Sequence, residues 1–425
     1  MVKLIKRGKR LGLVMVSCAL ILALVASATI PQVAKAEPGE KIVKIGWHGV
    51  YTGALASTGV WLGNGMKDCI RYLNEQGYIP GVRLEFTWQE TGGLIPRHIT
   101  AHKRFKEAGV MAEVSIIGDA AEVLSKTLQR DEIPLVVGTY FTEAMVTRPV
   151  PWIFSPDATF GDNAAAGLKW FRDQWTEERH PRVGGFGYEH RAYYEFLDGV
   201  KWACEQYDME FVGYEVVPLL GAIDTSTEWL RLAGKKPDVI TGVTCGATQV
   251  VAMKDAQRLE IQERGITLFD GGYCVAATLH TTRTAANGWY LCVYGAYANP
   301  CVSRAPLLKT IFEVREKYRG IGQQELMLDA YMGAWAAVIL IAEGIRLAAE
   351  KVGVDNLSGV TIRDGIVSVK DLDMGGVMRP ITMSNVKPWY GNGFVLFQVR
   401  DCMPYPVLED WWLDYPGFYK TRNYY

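Results

Sequence analysis

Short apolar runs of β-type composition alternate with amphipathic helical runs along most of this 425-residue chain. This alternation constrains the fold more than any other feature, because strands that run parallel to each other need crossover helices between them. The first unit therefore predicts a parallel sheet covered by helices. Its predicted strands are 41–48, 82–88, 113–117 and 134–137, and its predicted helices are 60–75, 96–108 and 120–130.

A second unit of the same kind follows a pause in the pattern at residues 149–162. The chain is long enough for two domain cores, and two α/β units in series predict two lobes that face a cleft. Since ligands of open parallel sheets bind beyond the carboxyl ends of the strands, the strand-to-helix loops are candidate contacts. The predicted helices of this unit are 163–175, 195–207, 225–232 and 249–259, and its strands are 182–186, 211–217, 238–241 and 266–269.

The last third of the chain does not form a third complete unit. An apolar segment at 326–349 contains Asp329, Glu343 and Arg346, so we interpret it as a buried helix and not as a membrane span. The aromatic tail at 410–425 is expected to pack on its own domain, with a partner-binding tail as the alternative. Other predicted elements are strands at 289–293, 380–383 and 393–399 and helices at 306–318, 329–351 and 360–367.

The N-terminal segment has the organisation of an export signal. Basic residues at 3–10 precede an apolar stretch at 11–30, and Ala34-Lys35-Ala36 is a small-x-small cleavage site. The alternative is an uncleaved membrane anchor, because the apolar stretch is nearly long enough to span a bilayer. We expect cleavage, since the cleavage site follows at once, and therefore a periplasmic or other extracytoplasmic location.

Charge and cysteine content restrict the partners and the chemistry. The first 36 residues carry six basic and no acidic residues, so the remainder has 39 basic and 46 acidic residues and a net charge of −7. With no long Lys/Arg run in that remainder, a nucleic-acid partner has little electrostatic support. Seven cysteines follow the signal, and an odd number leaves at least one unpaired. Cys292 and Cys301 are the nearest pair and could close a small disulfide loop.

Several short motifs stand in a characteristic order. A first strand leads into a Thr52-Gly53 loop, Leu-Asn-Glu-Gln-Gly ends the first helix at 73–77, and Lys-Arg-Phe follows at 103–105. Further strings occur at 167–171, 181–183 and 236–238. In this order and spacing they resemble the branched-chain amino-acid type of periplasmic binding protein, a leucine-binding-protein-like family that supplies the extracellular subunit of ABC importers. The similarity covers residues 41–399.

The resemblance implies a type I periplasmic-binding fold, a Venus-flytrap architecture of two doubly wound parallel-sheet lobes joined by a three-crossing hinge. The expected crossings lie near Pro156, Tyr294 and Val386. Closure about this hinge would bury a ligand between the lobes. The implied lobes are 41–155 with 295–385 for lobe 1 and 156–294 with 386–425 for lobe 2.

The family holds its ligand with strand-end loops, which correspond here to 118–121 and 138–142 in lobe 1. In lobe 2 they correspond to 188–194, 243–248 and 270–274. For Thr139 the alternative is ordinary turn or cap chemistry, and for Tyr193 it is surface packing. The resemblance implies ligand-binding roles for Asp119, Ala120, Thr139, Tyr140, Thr142, Tyr193, Thr244, Asp270 and Tyr273.

Asp119 departs from the family pattern, in which hydroxyl and amide groups of this loop take a ligand carboxylate. A carboxylate beside a ligand carboxylate is repulsive. Asp119 therefore either faces solvent or caps the following helix, or else the ligand offers a donor such as an ammonium, amide or amidine. The expected ligand is a small polar solute, such as an amino acid, an amide or a related compound.

No enzyme motif accompanies these features. The sequence has no Gly-x-Ser-x-Gly elbow, no Walker loop and no His-Glu-x-x-His, and nothing calls for a cofactor. His98 and His102 are four residues apart on a predicted helix, a metal-binding spacing, but the sequence offers no third ligand and an exposed or packed helix face is the alternative. We expect a binding protein whose partner is the membrane permease of an ABC transporter, with a ligand-sensing receptor subunit of the same fold as the second hypothesis.

Overall fold

Two separate β-sheets, each flanked by helices, organise the protein in the computed structural model. The structure describes residues 39–413 apart from short segments at 54, 139–141, 143–144, 147, 220, 272–274, 294, 296–304, 322–327, 390–392 and 409–411. The export signal and most of the aromatic tail lie outside the described residues. The predicted fold class, two parallel-sheet α/β lobes, is confirmed.

The first sheet is entirely parallel. It comprises β1 (Lys41–Gly49), β2 (Val82–Glu90), β3 (Val110–Ser115), β4 (Leu135–Val137) and β5 (Ile153–Phe154) in the order β2-β1-β3-β4-β5. The interior strand β1 is buried on both faces over its second half, from Ile45 to Gly49, while the two lysines of its first half are not buried. The crossovers are α1 (Ala56–Glu75), α2 (Ile95–Glu107) and α3 (Gly118–Asp131).

The second sheet has a parallel part that the C-terminal strands extend in antiparallel fashion. Its strand order is β12-β11-β10-β9-β8-β6-β7, and β13 also pairs with β11. The strands are β6 (Arg182–Tyr188), β7 (Glu210–Val217), β8 (Val239–Val243), β9 (Thr267–Asp270), β10 (Tyr290–Val293), β11 (Phe394–Arg400), β12 (Met403–Pro406) and β13 (Trp412–Leu413). Its helices are α4 (Phe160–Asp173), α5 (Arg191–Gln206), α6 (Ser226–Gly234), α7 (Gly246–Arg258) and α8 (Val275–Thr282).

Glycine permits the close packing of α4 against α5. A Cβ atom on Gly199 would lie 2.3 Å from the carbonyl oxygen of Gly161, so neither helix could come as near with a larger residue there. The start of α4 is fixed by Thr159, whose hydroxyl accepts a hydrogen bond from the Asp162 amide at 3.0 Å. This cap sets where the chain turns into the second lobe.

Three helices of the last third return to the first lobe: α9 (Pro306–Arg319), α10 (Leu328–Val352) and α11 (Gly359–Val367). Both α9 and α10 pack against α1, where the Arg319 guanidinium donates to Asp68 at 2.8 Å. Of the described helices, α10 alone is long and apolar enough to cross a membrane, yet most of its residues are buried within the protein. This agrees with the predicted core helix.

Two chain segments pair at the junction between the lobes. The Ser155 amide donates to the carbonyl of Pro388 at 2.9 Å, and Ser155 forms a parallel bridge with Trp389. The Ser155 hydroxyl donates to the Val137 carbonyl at 2.9 Å, which attaches this junction to β4. The lobe boundaries at residues 155, 294 and 385 stay a prediction.

Two expectations on the C-terminal third are wrong. Residues 380–383 do not form a sheet strand, because Ile381 makes only an isolated bridge to Leu372. Cys292 is a free thiol and not half of a disulfide with Cys301. Its side chain lies against Gly167 of α4, and burial raises the pKa of this thiol to about 12. The sequence also did not predict the short strand β5 or the helix α8.

A buried polar network joins α2 to the first sheet. His48, His98, His102 and Glu113 have no solvent exposure. Glu113 lies 2.7 Å from Nε2 of His48 and 2.8 Å from Nδ1 of His102, whose Nε2 lies 3.1 Å from Asp131. Since both ring nitrogens of His102 face carboxylates, both carry protons and the ring is a cation that neutralises the buried Glu113.

His98 stands at the neutral end of this network. Its Nδ1 lies 3.2 Å from Nδ1 of His48, so one of these two nitrogens carries a proton and donates it in a hydrogen bond to the other. Burial, together with His48, lowers the pKa of His98 to about 3. The possible metal site on His98 and His102 is not formed: among the described residues, no group of three or more His, Cys, Asp or Glu side chains is arranged to hold a metal ion.

This network makes the stability of the protein depend on pH. Unfolded His98 binds a proton near its ordinary pKa of about 6.5, whereas folded His98 stays neutral down to about pH 3. The stabilisation is therefore complete above about pH 6.5 and is lost as the pH falls. Between about pH 6 and pH 4.5, His98 should contribute a fall of about 1.4 kcal/mol per pH unit in unfolding free energy.

Urea unfolding of the wild type and of His98→Asn measures this slope, since the asparagine amide keeps a polar group near the Nδ1 position without titrating. The wild type should lose more stability than the variant as the medium is acidified. Parallel pH profiles for the two proteins would show that His98 does not titrate as described.

Candidate functional site

The carboxyl-end loops of the two sheets meet each other. The loop after β3 leads into α3, and the loop after β6 leads into α5. Nε2 of His190 lies 2.9 Å from an Asp119 carboxylate oxygen, and Arg191 lies 2.7 Å from Glu122. Parallel sheets gather their strand-to-helix loops at this edge, so the contacts place the predicted loops of lobe 1 and lobe 2 opposite one another, as in a cleft.

Lobe 1 contributes the N-terminal turn of α3. This helix begins at Gly118, so Asp119 lies within its first turn. The negative carboxylate there interacts favourably with the positive end of the helix dipole. Asp119 does not cap the helix, because the N-cap position is Ile117 and carries no side-chain cap. Ala120 is fully buried beneath it.

The loop after β4 supplies one described side chain of the predicted set. Thr142 is buried, and its hydroxyl donates to Glu122 at 2.6 Å. This bond holds the Glu122 carboxylate while its other oxygen faces Arg191. The predicted contacts Thr139 and Tyr140 lie outside the described residues, as does Tyr273 in lobe 2.

Lobe 2 contributes a buried hydrogen-bond network at the end of β9. The Asp270 carboxylate accepts from Gln249 at 3.1 Å and from the Thr244 hydroxyl at 3.4 Å. Gln249 is itself fixed by the hydroxyl of Thr278, which donates to it at 2.8 Å. All four side chains are buried. The structure thus brings Thr244 and Asp270 together, as their positions at the carboxyl ends of β8 and β9 suggest.

Asn163, in the first turn of α4, lies beside this network. Its amide nitrogen donates to the carbonyl of Gly271 at 3.4 Å, while its side-chain oxygen is buried without a hydrogen-bond partner in the described part of the chain. A buried acceptor without a donor is costly, so this oxygen is a candidate to receive a donor from a bound solute. The sequence does not single out Asn163, because its pattern predicts only the first residue of an ordinary helix there.

A small, largely apolar pocket lies beside the lobe junction. The pocket is adjacent to the end of β4, because Gly333 lies close to Gly138, and it is too narrow for a water molecule. Among the described lining residues, Asp157 is the only ionisable one, and it is fully buried. The sequence missed this group, since its residues come from distant segments. The residues that line this pocket are Asp157, Leu307, Met332, Gly333, Ala336, Met374, Val377 and Met378.

Tyr193 does not reach the cleft, which corrects the expectation from sequence. Its ring is fully buried between α5 and the second sheet. A Cβ atom on Gly187 of β6 would lie 2.1 Å from the ring, so that glycine makes the space for it. The helical phase of α5 explains the error, since His190 and Arg191 at its start face lobe 1 while Tyr193 faces the core. The ligand-binding role of the loop at 188–194 stays a prediction.

Comparison with known proteins agrees with the two-lobed fold. A family model described as "Periplasmic binding protein" matches residues 42–399. No curated protein matches the chain significantly. Among solved structures, a branched chain amino acid ABC transporter protein from Thermus thermophilus with bound valine is similar at a TM-score of 0.76 and 17% identity, covering 90% of this chain and 99% of that one.

Two further solved structures share the fold at low identity. A fatty acid ABC transporter substrate-binding protein from Thermomonospora curvata has a TM-score of 0.74 and 15% identity, covering 91% of this chain and 96% of that one. A solute binding protein of an ABC transporter from Rhodopseudomonas palustris in complex with p-hydroxybenzoic acid has a TM-score of 0.71 and 17% identity, covering 87% and 99%.

The position of Tyr193 gives a test on stability. Its hydroxyl has no hydrogen-bond partner among the described residues, so Tyr193→Phe should leave the unfolding free energy unchanged or slightly raised. Tyr193→Ala should lower it by about 3–5 kcal/mol, because a large buried ring is replaced by a cavity. Denaturant unfolding followed by circular dichroism measures both. A mild effect of the alanine variant would contradict the core position.

Proposed function

The chain belongs to the periplasmic binding protein family, and we propose that it is the extracytoplasmic substrate-binding subunit of an ABC importer. The observation that carries this proposal is the meeting of α3 and α5 across the two lobes, which brings the carboxyl ends of both parallel sheets to one cleft. A solute held there contacts both lobes and favours the closed arrangement over the open one. This is binding and release without chemical change of the solute.

The proposed lobes are 41–155 with 295–385 and 156–294 with 386–425, joined by crossings near residues 156, 294 and 386. The pairing of Ser155 with Pro388 supports two of these crossings as neighbours in one hinge. The proposed partner is a membrane permease, and the proposed location follows from cleavage of the export signal at Ala36. The acidic remainder of the chain gives no support to a nucleic-acid partner.

The proposed ligand is a small polar solute with at least one hydrogen-bond donor, such as an amino acid, an amide or a related compound. The unpartnered oxygen of Asn163 and the buried carboxylate of Asp270 are acceptors for such a donor. The Asp119 carboxylate accepts a hydrogen bond from His190 but keeps its negative charge, which also favours a ligand that offers a donor over one that offers only a carboxylate. The structurally similar proteins carry valine or p-hydroxybenzoic acid, or are named for fatty acids, so the fold itself is compatible with different solutes.

A thermal-shift screen tests the proposed function. The purified protein should melt at a higher temperature with one of a panel of amino acids, amides, ureas and small aromatic acids, because saturation at about 100 times Kd adds about 2.7 kcal/mol to stability. Mass spectrometry of the recovered solute should show it unchanged.

Asn163→Leu tests the role of the Asn163 side-chain oxygen, since it removes this acceptor while keeping a side chain of similar size. The melting shift by the same solute should shrink in this variant. If no compound of the panel shifts the melt of the wild type and none contracts the particle in solution scattering, the proposed function is wrong.

A further inference from the structure

Four charged or polar side chains join the two lobes directly at the mouth of the cleft. Asp119 and Glu122 lie one helical turn apart on α3 of lobe 1. His190 and Arg191 stand at the start of α5 in lobe 2. The pairs Asp119–His190 at 2.9 Å and Glu122–Arg191 at 2.7 Å are independent hydrogen-bonded contacts between the lobes. We infer that these four residues form an interlobe clasp that sets the balance between the open and closed arrangements of the binding protein.

The direction of the hydrogen bond between His190 and Asp119 follows from a second role of the His190 ring, which also caps α5. Nδ1 of His190 accepts a hydrogen bond from the Ala192 amide at 3.2 Å and so caps α5. This nitrogen therefore carries no proton, and the proton of the neutral ring lies on Nε2, which donates to Asp119. The clasp works with an uncharged imidazole, and the helix cap aims the donor at lobe 1.

The second pair is held in place from the lobe 1 side. One oxygen of Glu122 accepts from the Thr142 hydroxyl at 2.6 Å, which leaves the other oxygen for Arg191. The side chain of Glu122 is 12% exposed, whereas that of Arg191 is 59% exposed. The carboxylate is thus positioned in advance, and Arg191 is the more exposed partner, which engages when the lobes approach.

The clasp residues are positioning residues and not ligand contacts. Their bonds are satisfied by the protein itself, so opening the cleft must break both pairs. Partly exposed pairs of this kind each shift an equilibrium by about two- to fivefold. The inference rests on the proposed function in assuming lobes that open and close, but it assigns Asp119 to closure instead of ligand recognition.

Small-angle X-ray scattering of the purified protein without added solute tests the clasp. His190→Asn keeps a side-chain oxygen for the cap of α5 but is too short to reach Asp119, and Asp119→Asn removes the acceptor charge on the other side. His190→Asn, which breaks the bond, should shift the population towards the open form by about two- to fivefold, seen as a larger radius of gyration, whereas Asp119→Asn keeps an accepting oxygen and should have a smaller effect. Circular dichroism should show an unchanged helix content.

Charge reversal separates a positioning role from a general structural one. Glu122→Arg and Arg191→Glu should each enlarge the particle, and the double variant should restore its size because the pair re-forms with opposite polarity. The matched control is His180→Asn, which breaks the exposed His180–Asp208 pair (3.0 Å) within lobe 2 and should leave the radius of gyration unchanged.

Unchanged particle size in His190→Asn and in both charge-reversed single variants would overturn the clasp. A lack of rescue in the double variant would do the same for the Glu122–Arg191 pair. Since no solute is added, a negative ligand screen does not affect this outcome. Conversely, loss of the clasp leaves the Asn163 and Asp270 acceptors in place, so solute binding remains measurable in the variants.

Discussion

Parallel strand pairing is the constraint on which the rest of this structure depends. Each crossover helix returns the chain to the same end of its sheet, so every strand-to-helix loop of a lobe emerges at one edge. The junction at Ser155, bonded to both Pro388 and Val137, attaches the two lobes at that edge. The loops of one lobe therefore face the loops of the other, and a cleft is the consequence of topology before any side chain is considered.

The sequence predicted the elements of this fold well and its side-chain contacts less well. Apolar periodicity is a local signal, so it located the main strands of both sheets and most helices to within a few residues. The short strand β5 has too few residues to produce a pattern. The contact between Asp119 and His190 joins residues 71 positions apart, and no local period encodes it. For the same reason the sequence does not show that Tyr193, within the predicted loop at 188–194, packs into the core of its own lobe.

The buried histidines illustrate another limit of sequence reasoning. A spacing of four residues correctly placed His98 and His102 on one helix face, but spacing does not say what covers that face. Here the cover is β1 and β3, which place His48 and Glu113 in contact with the two rings. The role of a buried glutamate inside a strand cannot be interpreted until its cationic partner is known. Here that partner, His102, lies on a helix that packs against the sheet.

His190 also limits how the chain can change during evolution. Serine, threonine, asparagine and aspartate can cap a helix but are too short to donate across the gap to Asp119, whereas glutamine, lysine and arginine have the reach but are poor caps. Histidine combines an acceptor near the backbone with a donor at the far side of a rigid ring. Position 190 should therefore tolerate fewer residue types than position 191, whose arginine has one ion-pair partner, Glu122, in the described part of the chain. Any other residue at position 190 would keep both the helix cap and the bond to lobe 1 only if residues on α3 changed as well. Substitutions in the two lobes are therefore expected to be coupled at this contact.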